Sequence, residues 1–202
     1  MAEVSAEERA RRLTHPTAQL FLDTARRLIV QEGVGHAGPI AVAETAGRAR
    51  GLASYYFGRK DGMLAALLDR DADARTQQLN AALSAAATYE EIVDELVAQG
   101  VAYCADGSDI LFDQLQTYAF GSPEVCAAYQ RTRARWRGAL ADQLATKADE
   151  GVIDLVGDPQ TVAALLTALG RGLADELRAD TELELESTVA VARCLIYAAL
   201  SN

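Results

Sequence analysis

Between positions 48 and 60 the chain gathers Arg48, Arg50, Tyr55, Tyr56, Arg59 and Lys60. These side chains suit one kind of chemistry. A guanidinium forks onto guanine O6 and N7, an ammonium neutralises a phosphate, and a phenol donates to a phosphate oxygen. Reactive residue types are sparse elsewhere. Cys104, Cys126 and Cys194 stand far apart, and the chain has only two histidines, His15 and His36. No metal-ligand spacing, nucleophile–base pair or phosphate loop emerges from them. The sequence therefore predicts buried, reduced thiols, no metal, no cofactor and no enzymatic activity.

The elements that must position the basic and phenolic cluster are short helices. Ala43 and Ala46 are small enough for two helices to cross closely. Gly47 can take the left-handed conformation that stops a helix within one residue. Gly38–Pro39 offers a tolerable N-cap followed by proline at the first helical position. One helix is predicted over about 39–46, a second over about 50–56, and a third from Lys60. This is the pattern of a helix-turn-helix, whose second helix enters the DNA major groove. Neighbouring residues on a helix point about 100° apart, so Tyr55 and Tyr56 cannot both be buried in so short an element, and Phe57 is expected inside. Lys60 opens a helix, where its ammonium and the free backbone N–H groups together suit a phosphate.

From near Ala18 to about Leu68 the order of residues resembles the N-terminal domain of the TetR family of bacterial transcriptional regulators. The resemblance is carried by Ala25, Leu28, Ile29, Glu32 and Gly33 in the first helix and by Ala46–Gly47 in the turn. Gly51 and Tyr56–Phe57 carry it in the recognition helix, and Lys60–Asp61 and Leu64 in the next. It implies a phosphate contact for Tyr56 and a groove or phosphate contact for Tyr55. With Arg48, Arg50, Gly51 and Lys60 these make up the expected DNA-binding set. Arg48 and Ala49 depart from the family, which has a small apolar residue and then Ser or Thr after the turn glycine. Ala49 has no side-chain oxygen to cap the recognition helix, a loss of about 0.5–2 kcal/mol.

Net charge is −10, but it is unevenly spread. Residues 1–61 carry nine Lys/Arg against seven Asp/Glu, a balance of +2, while the remainder carries −12. A DNA-binding head on an acidic body has this asymmetry. The expected organisation is a flexible arm over 1–16 bearing Arg9, Arg11 and Arg12, a helix-turn-helix domain over 17–61, and a ligand-binding and dimerisation body over 62–202. No run of about eighteen apolar residues exists to span a membrane, and the first residues lack the apolar core of a secretion signal, so a cytoplasmic protein is expected.

The fold class expected is all-α. Thr17 is a candidate cap for the first helix. Thr88 and Glu91 form a capping box, and Ser108 and Ser122–Pro123 open further helices. Asp158–Pro159 reads as an N-cap with proline after it. The resemblance implies six helices in the body, the last two of which pair with their copies in a second subunit. On this reading the segments 158–179 and 182–200 form a homodimer seam, with Leu166, Leu169, Leu173, Val189, Leu195 and Ile196 as its candidate positions.

Tyr103, Phe112, Gln116, Tyr118, Tyr129 and Trp136 fall on helices that line the inducer cavity in similar proteins. Tyr103, Phe112, Gln116, Tyr129 and Trp136 are the candidate ligand-binding residues, suited to an apolar or aromatic effector. Asp109, Asp113 and Glu124 read as surface carboxylates, or as partners of a cationic ligand. The function expected is a ligand-responsive repressor that binds a palindromic operator as a dimer, with an unknown small molecule as effector. A helical small-molecule binder without DNA function is the alternative.

Overall fold

The computed structural model describes residues 11–179 and 182–200. Apart from the helical residues 11–13, the α-helices among them are α1 Pro16–Glu32, α2 Pro39–Thr45, α3 Leu52–Phe57, α4 Lys60–Ala85, α5 Tyr89–Ala105, α6 Ser108–Ala119, α7 Pro123–Asp149, α8 Pro159–Ala179 and α9 Leu185–Leu200. No strand occurs among the described residues. The chain is all-α, as its periodicity indicates.

Two compact units divide the helices. The first comprises 11–71 and 110–132, the second 72–109 and 133–200, so the division falls inside α4, α6 and α7. In the first unit α1 packs on α2 and α3, and α2 packs on α3. Phe21, Leu22, Ala25 and Ile29 recur at helical spacing on α1 and are fully buried, as are Val42 and Ala43 of α2 and Ala53 of α3. The ring of Phe21 meets those of Tyr56 and Phe57 edge-on, at centroid distances of 6.1 and 6.5 Å.

Turn chemistry sets where these helices stop. Gly47 has φ +65°. The Arg48 N–H donates to the Ala43 carbonyl at 2.8 Å and the Gly47 N–H to Glu44 at 3.0 Å, which is a Schellman termination. The start of α1 differs from expectation. Its N-cap is His15, not Thr17: the ring Nδ1 accepts the Thr17 N–H at 3.1 Å and Pro16 occupies the first helical position. A histidine acceptor reaches the free N–H groups as an aspartate would, and proline cannot compete for it. Residues 11–13 are helical, while residues 1–10, with Arg9 and most of the expected arm, lie outside the described residues.

The second unit is built around Leu79 and Leu83 of α4, Ile92 and Val93 of α5, Leu140 and Leu144 of α7, Val162 of α8, and Ile196 and Leu200 of α9. Its caps follow the sequence reading. Thr88 and Glu91 form the reciprocal capping box, and the Thr161 N–H donates to Asp158 at 3.0 Å. Between α7 and α8, the Asp154 N–H donates to the Leu200 carbonyl at 3.0 Å and Ile153 inserts into the core. The position of Ile196 corrects the predicted seam. It is 7% exposed and packs within its own unit, and Leu166 and Leu169 lie half-buried against the same core.

Candidate nucleic-acid interface

The recognition helix α3 has only six residues. Ala53 and Phe57, four apart, turn inward and are buried, which leaves Ser54 and Tyr55 outward. Gly51 is the N-cap and offers no side-chain hydrogen bond. Ala49 does not cap through a side chain either. Its carbonyl accepts the Leu52 N–H at 2.9 Å, so the helix starts two residues later than predicted. At the other end Gly58 has φ +74° and closes the helix through a 2.8 Å bond from its N–H to the Ser54 carbonyl. A Cβ on Gly62, in the first turn of α4, would meet the Phe57 carbonyl at 2.3 Å. Only glycine lets α4 come so close beneath the end of α3.

Tyr55 is 57% exposed. Its ring carries the Arg12 guanidinium at 4.8 Å on one side and meets Tyr56 edge-on at 5.3 Å. Tyr56 is half-buried, with its hydroxyl 3.0 Å from His15 Nδ1. Because Nδ1 already accepts from Thr17, the phenol is the donor in that bond. Thus His15 organises both the start of α1 and the second tyrosine of α3. His15 falls in the segment expected to be a flexible arm, yet the His–Pro step ahead of an apolar helical pattern is a local signal for a cap.

Arg48, Gly51 and Arg59 are exposed. The Arg50 side chain is 77% exposed and its Nε donates to Glu44 at 2.5 Å. Such a surface pair is screened and worth about 0–1 kcal/mol, so it restrains Arg50 only weakly. Lys60 is the first residue of α4. Its ammonium donates to the Gly35 carbonyl at 3.3 Å and sits 5.1 Å from the ring centroid of Tyr118. Burial lowers its pKa, with the charge of Asp61 acting in the opposite sense.

Asp61, which lies outside the expected DNA-binding set, has both carboxylate oxygens engaged. The Ser122 hydroxyl donates to one at 2.7 Å and the Tyr118 hydroxyl to the other at 2.8 Å. Those two bonds, Ser122 first, hold its carboxyl below the ordinary carboxylate range. Gln114 of α6 accepts the Val34 N–H at 3.3 Å, in the loop that follows α1.

The expected ligand-binding residues are distributed over both units. In the first unit Phe112 and Tyr129 are buried with ring centroids 6.4 Å apart, and the Tyr129 hydroxyl donates to Gln116 at 2.9 Å. In the second unit Tyr103 carries the Arg75 guanidinium over its ring at 4.9 Å, and Trp136 packs against the core. Asp109 is not a surface carboxylate: it is 5% exposed, and Arg178 Nε lies 3.4 Å from one oxygen. The thiols are not uniformly buried either. Cys104 and Cys126 are half-buried and Cys194 is exposed. Desolvation, then the Asp109 charge, raises the Cys104 pKa and keeps it a thiol. Among the described residues no group of His, Cys, Asp and Glu is arranged to hold a metal, and no helix is long and apolar enough to cross a membrane.

Comparison with known proteins places this geometry. Residues 21–67 match the family model of the bacterial regulatory proteins, tetR family. Curated proteins give no match. Solved structures share the fold over most of the chain. A TetR-family regulator from Rhodococcus sp. is 22% identical with a TM-score of 0.77, over 90% of this chain and 97% of its own. The fatty acid degradation regulator FadR from Bacillus halodurans is 18% identical with a TM-score of 0.76, over 91% and 96%. FadR from Bacillus subtilis, solved with stearoyl-CoA, is 15% identical with a TM-score of 0.74, over 90% and 98%. The glycine-stopped helix-turn-helix, the exposed tyrosine on a six-residue helix and the lysine opening the next thus lie in or beside the segment that matches the tetR-family model, and the chain as a whole shares the fold of those regulators.

Proposed function

We propose that this chain is a ligand-responsive transcriptional repressor that binds a palindromic operator as a homodimer. One observation carries the DNA reading. The recognition helix is pinned inward by Ala53 and Phe57 while Tyr55 and the flanking Arg48 and Arg50 stay exposed around it. On this reading Arg50 addresses a base edge. Arg48, Tyr55, Tyr56 and Lys60 hold the backbone, and Gly51 lets the helix start close to it. Two such helices in a dimer would enter major grooves about 34–36 Å apart. The head is then the 17–61 region with the arm before it, and 62–202 supplies effector binding and dimerisation.

The dimer reading is supported by the outer stripe of α8 and α9. Leu165 is 65% exposed and Val191 60%, and Leu195, Ala168, Ala190 and Ala198 are exposed as well. Small and apolar side chains at helical spacing form a surface suited to another helix pair. For the effector, Phe112, Gln116 and Tyr129 form a buried aromatic group with one polar handle, fit for an apolar or aromatic molecule.

The deciding experiment is a gel-shift and footprint with the duplex upstream of the chain's own gene. A protected inverted repeat, lost on Arg50→Ala and Tyr55→Ala, is the expected result. A chain that binds no duplex at low salt is not a DNA-binding regulator.

A further inference from the structure

Lys60 and Asp61 are consecutive residues of opposite charge at the start of α4, the end that meets a DNA phosphate when Lys60 is a backbone contact. An aspartate there is a liability for phosphate binding, since it can neutralise the lysine and repel the backbone. The structure shows where its charge is spent. Both carboxylate oxygens are turned to hydroxyls, Oδ1 to Tyr118 at 2.8 Å and Oδ2 to Ser122 at 2.7 Å. Ser122 is itself held, because its Oγ accepts the Val125 N–H at 3.3 Å at the start of α7. The Lys60 ammonium meets only neutral acceptors in these contacts, the Gly35 carbonyl and the face of the Tyr118 ring. Tyr118 therefore touches both charges, its ring under the cation and its hydroxyl on the anion.

We propose that Tyr118 of α6 is a positioning residue for the phosphate contact of Lys60, its ring carrying the ammonium while its hydroxyl draws the Asp61 carboxylate away. The inference rests on the reading of Lys60 as a phosphate contact. It adds an α6 residue to a site otherwise built from the helix-turn-helix. Removing the hydroxyl frees one carboxylate oxygen toward the two cations whose charges already act on Asp61, Arg59 and Lys60. The lysine then divides its time between Asp61 and DNA, and fewer counterions are released on binding.

A labelled duplex of mixed sequence, titrated over a range of NaCl concentrations, tests this without knowledge of the operator. Tyr118→Phe keeps the ring and its packing. It should weaken binding about two- to fivefold, the factor expected when an exposed ion pair competes. It should also flatten the slope of log K against log salt by up to about one unit. The same Tyr118→Phe change made together with Asp61→Asn should leave affinity and slope where Asp61→Asn alone puts them. A merely structural Tyr118 would lower affinity equally in both backgrounds, and that result overturns the proposal, as does a Tyr118→Phe chain with the parental slope. Lys60→Ala separates this from the reading beneath it. It should flatten the slope by about one unit and make Tyr118→Phe silent; if it leaves the slope intact, Lys60 contacts no phosphate and both readings fall.

Discussion

Arg50 and Asp61 are each held by a specific partner, Arg50 by Glu44 and Asp61 by the Ser122 and Tyr118 hydroxyls. Arg50 is tethered to Glu44 across the turn in the free chain. Glu44→Gln should release it and raise duplex affinity by a factor of about two to five, given that exposed pairs contribute about 0.2–1 kcal/mol; fluorescence anisotropy would measure it. Arg50→Ala should cost about 1–3 kcal/mol on the best site and relax base preference at one position, while Arg48→Ala should weaken all sequences alike. Competition against a panel of single-base operator variants distinguishes the two. Asp61 also makes stability depend on pH. Its folded pKa is depressed by Ser122 and Tyr118, so between its ordinary and its folded value the unfolded chain binds more protons than the folded one. The contribution is present above the ordinary carboxylate pKa and is lost as pH falls through the folded value. Asp61→Asn should therefore flatten the acid limb of a plot of stability against pH, measured by urea denaturation. Tyr118 acts at the opposite end. Burial and then the Asp61 bond raise its pKa, so its contribution is lost as pH climbs through that raised value.

At the scale of elements, the recognition helix is too short to hold itself. An isolated helix of six residues has no stability in water, and α3 persists because its neighbours hold both ends. Gly62 is one of those neighbours. Gly62→Ala would put a methyl group into the Phe57 carbonyl, and backbone on both sides leaves little room to yield. The expected cost is about 1–3 kcal/mol, seen as a lowered midpoint in urea, with duplex binding weakened as α3 shifts. His15 is the other. His15→Ala should remove the α1 cap at a cost of about 0.5–2 kcal/mol and free the Tyr56 hydroxyl, whereas His15→Asn should preserve the cap. Comparing the two variants by denaturation and by anisotropy separates the capping role from any role toward Tyr56.

On the scale of the whole molecule, the exposed stripe of α8 and α9 is the surface from which a dimer is expected. Placing glutamate at Leu165 or Val191 should give a folded monomer with weak operator affinity, because both side chains are exposed in the single chain. Sedimentation velocity and circular dichroism together check this. Aspartate at Ile196 should instead unfold the chain, since it would bury an unpaired charge among Leu79, Leu83, Ile92 and Leu144. If the Val191 variant stays dimeric, the seam lies elsewhere.

What could be read from the sequence was local. Gly47 stopping α2, the Thr88–Glu91 box, Asp158 before Pro159 and Phe57 turning inward all depend on residues a few positions apart, and short-range hydrogen bonding and helical periodicity determine them. The exposure of Arg48, Arg50 and Tyr55 follows from the same local pattern, because Ala53 and Phe57 turn the opposite face of α3 inward. Contacts between distant segments were not legible. Nothing near Asp61 in sequence announces Tyr118 and Ser122, and His15 gains its meaning from Tyr56, 41 residues away. Nor could periodicity choose between the two apolar stripes of α9. Val191 and Ile196 are equally hydrophobic as letters, and only packing against α5 and α8 turned Ile196 into the core and left Val191 facing out. A helix pattern says which residues share a face; which face meets the protein's own core is decided by the helices that pack against it.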